Sequence, residues 1–222
     1  ECLVGSEMCI RDRYSTMFPY TSAGPIVRYT DIETQLKQRT INISKFGIGA
    51  ELFVKGLAKK VLLADNLSVL YSSICGHPQM SVFTSWLGIL AYTMQLYFDF
   101  SGYSDMAIGL GKMLGFDFNK NFDYPYISTS VSEFWRRWHI SLGSWFRDYI
   151  YIPLGGNRVS TLKHIRNILV VWALTGLWHG ASWNFVLWGV YYGLFLLLEK
   201  FVLQKYLKKI PSWLCTVYTL SL

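Results

Sequence analysis

Four histidines punctuate this chain, His77, His139, His164 and His179, and only two of them sit where an imidazole is costly to place. His179 lies in LTGLWHGASWN, where the nearest full charges are Arg166 on one side and Glu199 on the other. His139 lies in SEFWRRWHISLGSWF, among tryptophans and phenylalanines. Desolvation disfavours the imidazolium, so such groups tend to stay neutral. A neutral imidazole beside a substrate hydroxyl can accept its proton while the oxygen attacks an acyl carbon. Gly180, Ala181 and Ser182 keep bulk low beside His179 and leave a substrate room to approach. For either histidine alone, a hydrogen-bonded structural role is the commoner alternative. His77, in a Gly-His-Pro turn, and His164, between Lys163 and Arg166, read as solvated.

Metal chemistry finds no ligand set. A zinc site needs three or four ligands at suitable spacing, and neither H-x-x-x-H nor H-E-x-x-H occurs. Cys2, Cys9, Cys75 and Cys215 show no CxxC spacing and read as ordinary membrane or loop cysteines.

Other polar groups cluster nearby in sequence. YFDFSGYSDMAIGLGKMLGFDFNKNFDYPYIS places Asp99, Asp105, Asp117 and Asp123 among aromatics and glycines. Acids at a membrane edge need pairing or solvent, and an interfacial loop with an aromatic belt is the favoured reading of this stretch. Ser130 and Glu133 have capping-box spacing, so a helix starts there. On it Trp135 and His139, four residues apart, share a face, and Arg136 and Arg137 point elsewhere. That helix is either a headgroup-level anchor or the wall of a polar cavity.

The elements holding these residues read as membrane helices. Charged residues make up 16% of the chain, hydrophobic residues 52%, and mean hydropathy is +0.25; a soluble domain carries about 25% charged residues. Ser81–Phe98 and Asn167–Leu198 carry no formal charge. A span needs about 20 apolar residues, so the first is a borderline single span. The second is too long for one crossing and short for two. Lys163 and Arg166 precede it and Lys200, Lys205, Lys208 and Lys209 follow it, a pattern of interfacial anchoring with both ends on the cytoplasmic side. It therefore reads as a hairpin or re-entrant element turning at Gly180–Asn184. The net charge of +7 sits at segment ends rather than in a nucleic-acid footprint. Ile41–Ile74 reads as an interfacial helix with Lys55, Lys59 and Lys60 on one side, and Met17–Arg28 as a turn-rich entry.

The two ends differ from the rest. Residues 1–13, ECLVGSEMCIRDR, have mixed charge and no apolar period and read as a foreign leader. PSWLCTVYTLSL opens an apolar stretch about half a span long. The expectation is residues 14–222 of a larger polytopic protein, incomplete at both ends.

Four runs in series resemble the membrane-bound O-acyltransferase family, more narrowly its alginate O-acetylation branch: FPYTSAGPIVRY, YFDFSGYSDMAIGLGKMLGFDFNKNFDYPY, SEFWRRWHISLGSWFRDYIYIPLGGNR and LTGLWHGASWNFVLWG, covering about residues 18–201. The resemblance implies an all-α, multi-pass fold in the cell membrane around a funnel or tunnel. It implies that His179 is the active-site histidine and His139 the second functional one, with no tightly bound cofactor. It also implies an acetyl donor such as acetyl-CoA, a polysaccharide acceptor, surrounding lipid and a periplasmic or extracellular acetyltransferase partner. Arg136, Arg137, Asp99 and Asp105 lie in the same runs without individual roles. D-alanyl or other acyl transfer to cell-wall polymers is the alternative chemistry. A proton-coupled transporter would call for paired intramembrane acids or inverted repeats, and no internal repeat is visible; a non-catalytic conduit or scaffold would leave both histidines structural.

Overall fold

A computed structural model describes residues 10–20 and 24–222. The leader expected at residues 1–13 therefore falls mostly outside the described residues. Among the described residues the secondary structure is helix and turn, with no strand. The chain forms two compact units, residues 1–120 and 121–222.

In the first unit α1 (Tyr29–Lys37) is followed by α2 (Ile43–Ala58), a π-helical stretch (Lys59–Ala64) and α3 (Asp65–Cys75). These three run as one continuous helical rod, as the apolar spacing predicts. Asn42 starts it by accepting the Lys45 N–H at 2.7 Å. The rod packs along α4 (Val82–Met113), and glycine explains how closely. A Cβ on Gly49 would lie 2.7 Å from the Gly109 carbonyl oxygen, and one on Gly102 would lie 2.7 Å from that of Gly56. Small residues let helix backbones approach in this way. Beside the pair, Met17, Val27, Ile32, Leu36, Phe116 and Phe118 form a buried cluster, on which Ile10 and Tyr14 pack.

Two expectations change here. The stretch with Asp99 and Asp105 is the second half of the 32-residue α4, not an interfacial loop. Its acids are held by cations from the rod: Lys60 Nζ lies 2.6 Å from Asp99, and Lys59 Nζ lies 2.6 Å from Asp105. Lys55 turns away and pairs with Glu51 instead, so the three lysines do not act as one face. Ion pairing stabilises these acids on a helix without a solvated loop, and the sequence pattern does not display pairs so far apart.

The second unit carries α5 (Val131–Arg137), α6 (Ile140–Phe146), a π turn (Arg147–Tyr151), α7 (Thr161–His179), α8 (Trp183–Leu198), a π turn (Glu199–Leu203), α9 (Gln204–Leu207) and α10 (Ser212–Leu220). The expected hairpin is present: α7 and α8 pack together, and Gly180–Ser182 connects them. Contact is again backbone to backbone. A Cβ on Gly176 would collide with the Phe185 carbonyl, and one on Gly189 with the Trp172 carbonyl. Trp183–Leu207 is long and apolar enough to cross a membrane, and it is the one helical stretch among the described residues that is. Ser81–Phe98, expected as a first span, forms the cap and N-terminal half of the longer α4, whose C-terminal half brings in the paired aspartates.

Candidate active site

Both candidate histidines belong to the second unit, and the local sequence explains how each is presented. α5 begins at Ser130, whose Oγ accepts the Glu133 N–H at 3.1 Å. Only half of the expected capping box forms. The Glu133 carboxylate reaches one residue further back and accepts from Thr129 N–H and Oγ1, both at 2.9 Å. It also accepts from Arg137 Nε at 2.9 Å. Those bonds hold its carboxyl below the usual range, the Thr129 N–H foremost.

α5 ends at Arg137, and this corrects the expected face shared by Trp135 and His139. His139 stands outside the helix in the left-handed region, φ +47°, as the residue that opens α6. That conformation is uncommon for a residue with a Cβ. Here it is held from several sides: the Ile140 N–H donates to the Asn121 carbonyl at 2.9 Å, and the Asp123 N–H to the Arg137 carbonyl at 2.9 Å. The kink separates the two side chains. Trp135 joins Trp172, Trp188 and Tyr192, with ring centroids 4.9–5.6 Å away. His139 instead meets Trp178 at 6.1 Å.

His139 is buried, 6% exposed. Its Nδ1 lies 3.1 Å from Asn121 Oδ1 and 3.4 Å from Ser141 Oγ. Asn121 Oδ1 also accepts the Ser141 N–H at 3.1 Å and the Ser141 hydroxyl at 2.9 Å. Burial pushes the His139 pKa down to about 4, with a smaller contribution from the neighbouring His179. The imidazole is neutral at physiological pH.

His179 is the last residue of α7, and Gly180 breaks the helix immediately after it. It is exposed rather than buried, which differs from the expectation of an enclosed imidazole. The hairpin turn leaves its ring open while Trp178 and Trp188 meet it edge-on at 5.0 Å and Phe185 stacks beside it at 6.1 Å. Trp178 therefore touches both imidazoles. The structure brings the two predicted histidines into one site, close enough for charge on one to oppose charge on the other.

The remaining predicted residues divide. Arg137 is held by Glu133 and by Asp123, the latter at 3.5 Å, and braces the kink before His139. Arg136 points elsewhere, as expected, and is exposed. His77 is exposed, as expected. His164 is not: it is 6% exposed, with Nε2 3.0 Å from the Tyr151 hydroxyl and 3.1 Å from Lys200 Nζ. Its charged sequence neighbours suggested solvent, but α7 turns it inward while Lys163 faces out.

Sequence reasoning missed Asn121, Ser141, Trp178 and Glu199. Glu199 offered the one available signal, an isolated acid at the end of a long apolar run. It is 4% exposed, and its carboxylate accepts the Val131 N–H at 2.6 Å and the Ser132 N–H at 3.1 Å, closing the start of α5. No cluster of three or more metal-binding side chains exists among the described residues.

Residues 13–211 match the model of MBOAT, the membrane-bound O-acyltransferase family. The chain is 50% identical over 187 residues to the "Probable alginate O-acetylase AlgI" of Azotobacter vinelandii, covering 84% of this chain and 38% of that protein. It is 38% identical over 221 residues to the peptidoglycan O-acetyltransferase of Helicobacter pylori, covering 94% of this chain and 42% of that one. Against the teichoic acid D-alanyltransferase of Bacillus subtilis it is 31% identical over 217 residues, with 89% and 52% covered. The chain thus spans less than half the length of the first two relatives. With a family match across most of its length, this chain belongs to the membrane-bound O-acyltransferase family.

Proposed function

We propose that this chain carries the histidine centre of a multi-pass O-acyltransferase of the cell membrane, one that moves acetyl groups onto hydroxyls of an exported polysaccharide such as alginate. The observation that carries the reading is the meeting of His139 and His179 across Trp178 at the open end of the α7–α8 hairpin. His179 is the general base. It is accessible, and small residues follow it. His139 is the buried, neutral neighbour whose orientation is fixed by Asn121.

The donor in this reading is a thioester such as acetyl-CoA. The acceptor oxygen attacks the acetyl carbonyl while its proton passes to the His179 imidazole. The carbon–sulfur bond breaks, and the proton leaves with the thiolate sulfur, so the imidazole returns to its neutral form. A periplasmic or extracellular acetyltransferase acts as the partner that completes delivery to the polymer. Acetyl transfer is favoured over D-alanyl transfer because identity is 50% to the alginate relative and 31% to the D-alanyl one.

The test uses the intact protein in its native host, wild type and His179→Ala at matched membrane levels, with base-labile acetyl esters on the exported polysaccharide as the readout. Loss of ester with correct insertion supports the reading. Normal ester levels remove His179 from the chemistry and point to a scaffold.

A further inference from the structure

The second unit contains a cavity of about 480 Å³ that the histidine site does not use. Arg136, Lys200 and Lys208 line it, with hydroxyls from Ser130, Ser132 and Ser212 around them. Its one carboxylate, Glu199, has both oxygens committed to the Val131 and Ser132 N–H groups. The lining is therefore cationic, and its acid is already engaged.

Among the described residues these three cations differ from the ion-paired ones. Lys37, Lys45, Lys55, Lys59, Lys60, Lys112, Arg137 and Arg147 each hold a carboxylate. Among the described residues Arg136, Lys200 and Lys208 have no carboxylate within ion-pair distance. Lys200 is steered by a neutral acceptor, His164 Nε2 at 3.1 Å, which takes one ammonium proton and leaves others for the cavity. His164 is itself buried and shared with the Tyr151 hydroxyl, so this lysine is positioned from inside the fold.

Location adds the class of ligand. The cavity lies at the end of the apolar helix Trp183–Leu207, where Leu207 and Ile210 supply an apolar wall beside the cations. Basic pockets at the ends of membrane helices suit phosphate-bearing headgroups. We propose that this cavity binds a phosphate ester anion, the chemistry shared by anionic phospholipid headgroups and soluble phosphorylated ligands. Arg136 and Lys208 supply charge, Lys200 a positioned donor, and the serine hydroxyls further hydrogen bonds. The lipid outcome stands apart from the acetyl-transfer reading, whereas a soluble phosphate includes the phosphate end of a donor such as acetyl-CoA, and that outcome alone rests on it.

The experiment takes the full-length protein in phosphatidylcholine nanodiscs with added phosphatidylglycerol, and reads retained lipid by native mass spectrometry. In parallel, inorganic pyrophosphate is titrated while thermal unfolding is followed. Wild type should retain phosphatidylglycerol over phosphatidylcholine or be stabilised by pyrophosphate; the first result identifies a lipid headgroup and the second a soluble phosphate. Each cation neutralised should weaken the response about fivefold, in Arg136→Gln, in Lys208→Gln and more in the pair, whereas Lys208→Arg should keep it. Arg136 and Lys208 are exposed, so their single variants keep the fold intact for this comparison. Equal responses from wild type and the double variant, or no preference in either assay, would overturn the proposal.

Discussion

Asn121 Oδ1 faces His139 Nδ1 at 3.1 Å, and the same oxygen accepts the Ser141 backbone N–H. A backbone N–H can only donate, so the amide orientation of Asn121 is settled by Ser141. The oxygen facing His139 must then accept, which places the imidazole proton on Nδ1 and the lone pair on Nε2. A side chain with no chemistry of its own thus fixes the tautomer of the buried histidine.

Asn121→Asp should change that histidine in a defined direction. A carboxylate beside the ring favours the imidazolium and raises its pKa from about 4. In reconstituted membranes the acid limb of the rate–pH profile should move to higher pH, while Asn121→Ala lowers the rate without that displacement. An unmoved acid limb in the aspartate variant would separate His139 ionisation from turnover.

The low pKa of His139 also links protonation to stability. The folded value, about 4, lies below the unfolded value of 6.5, so the folded state binds fewer protons between them. The stabilisation is present in full above the unfolded value and is lost as pH falls towards about 4. Thermal unfolding of the solubilised full-length protein between those limits should show a falling midpoint. His139→Gln, which cannot titrate, should flatten that slope.

Removing both imidazoles tests whether they act as one unit. His179→Ala should lower acetyl transfer by about 10²–10⁴-fold, the range for a general base. Groups that act together are strongly non-additive, so adding His139→Ala should reduce the residual rate little further. Independent multiplicative losses, measured with purified protein and matched insertion, would show the two histidines serving separate steps.

What was legible in the sequence follows from how far apart the interacting residues lie. The α7–α8 hairpin was visible because it is local: an uncharged run, a Gly-Ala-Ser turn and basic ends. The helix starting after Ser130 was visible for the same reason. The kink at His139 was not, because Asn121, eighteen positions upstream, helps hold it. The pairing of Asp99 with Lys60 and the burial of His164 against Lys200 were likewise hidden, since each partner is distant in the chain. Charge patterns around a residue suggested its exposure, and tertiary partners overrode the suggestion.

Glu199 offers a structural test outside the histidine chemistry. Its carboxylate ties the end of the apolar helix α8 to the first N–H groups of α5, the helix that leads into His139. Glu199→Ala would leave the Val131 N–H buried without its acceptor, and Val131 is 2% exposed. Leaving a buried donor unsatisfied costs about 1–3 kcal/mol. The thermal midpoint of the solubilised full-length protein should fall accordingly, and acetyl transfer should fall with it as the entry to His139 loosens. Glu199→Gln keeps one acceptor oxygen and should lose less of both. If the alanine variant kept the wild-type midpoint, the contact would be incidental to the fold; if the midpoint fell while transfer per folded molecule stayed constant, α5 would be holding the unit together without positioning His139.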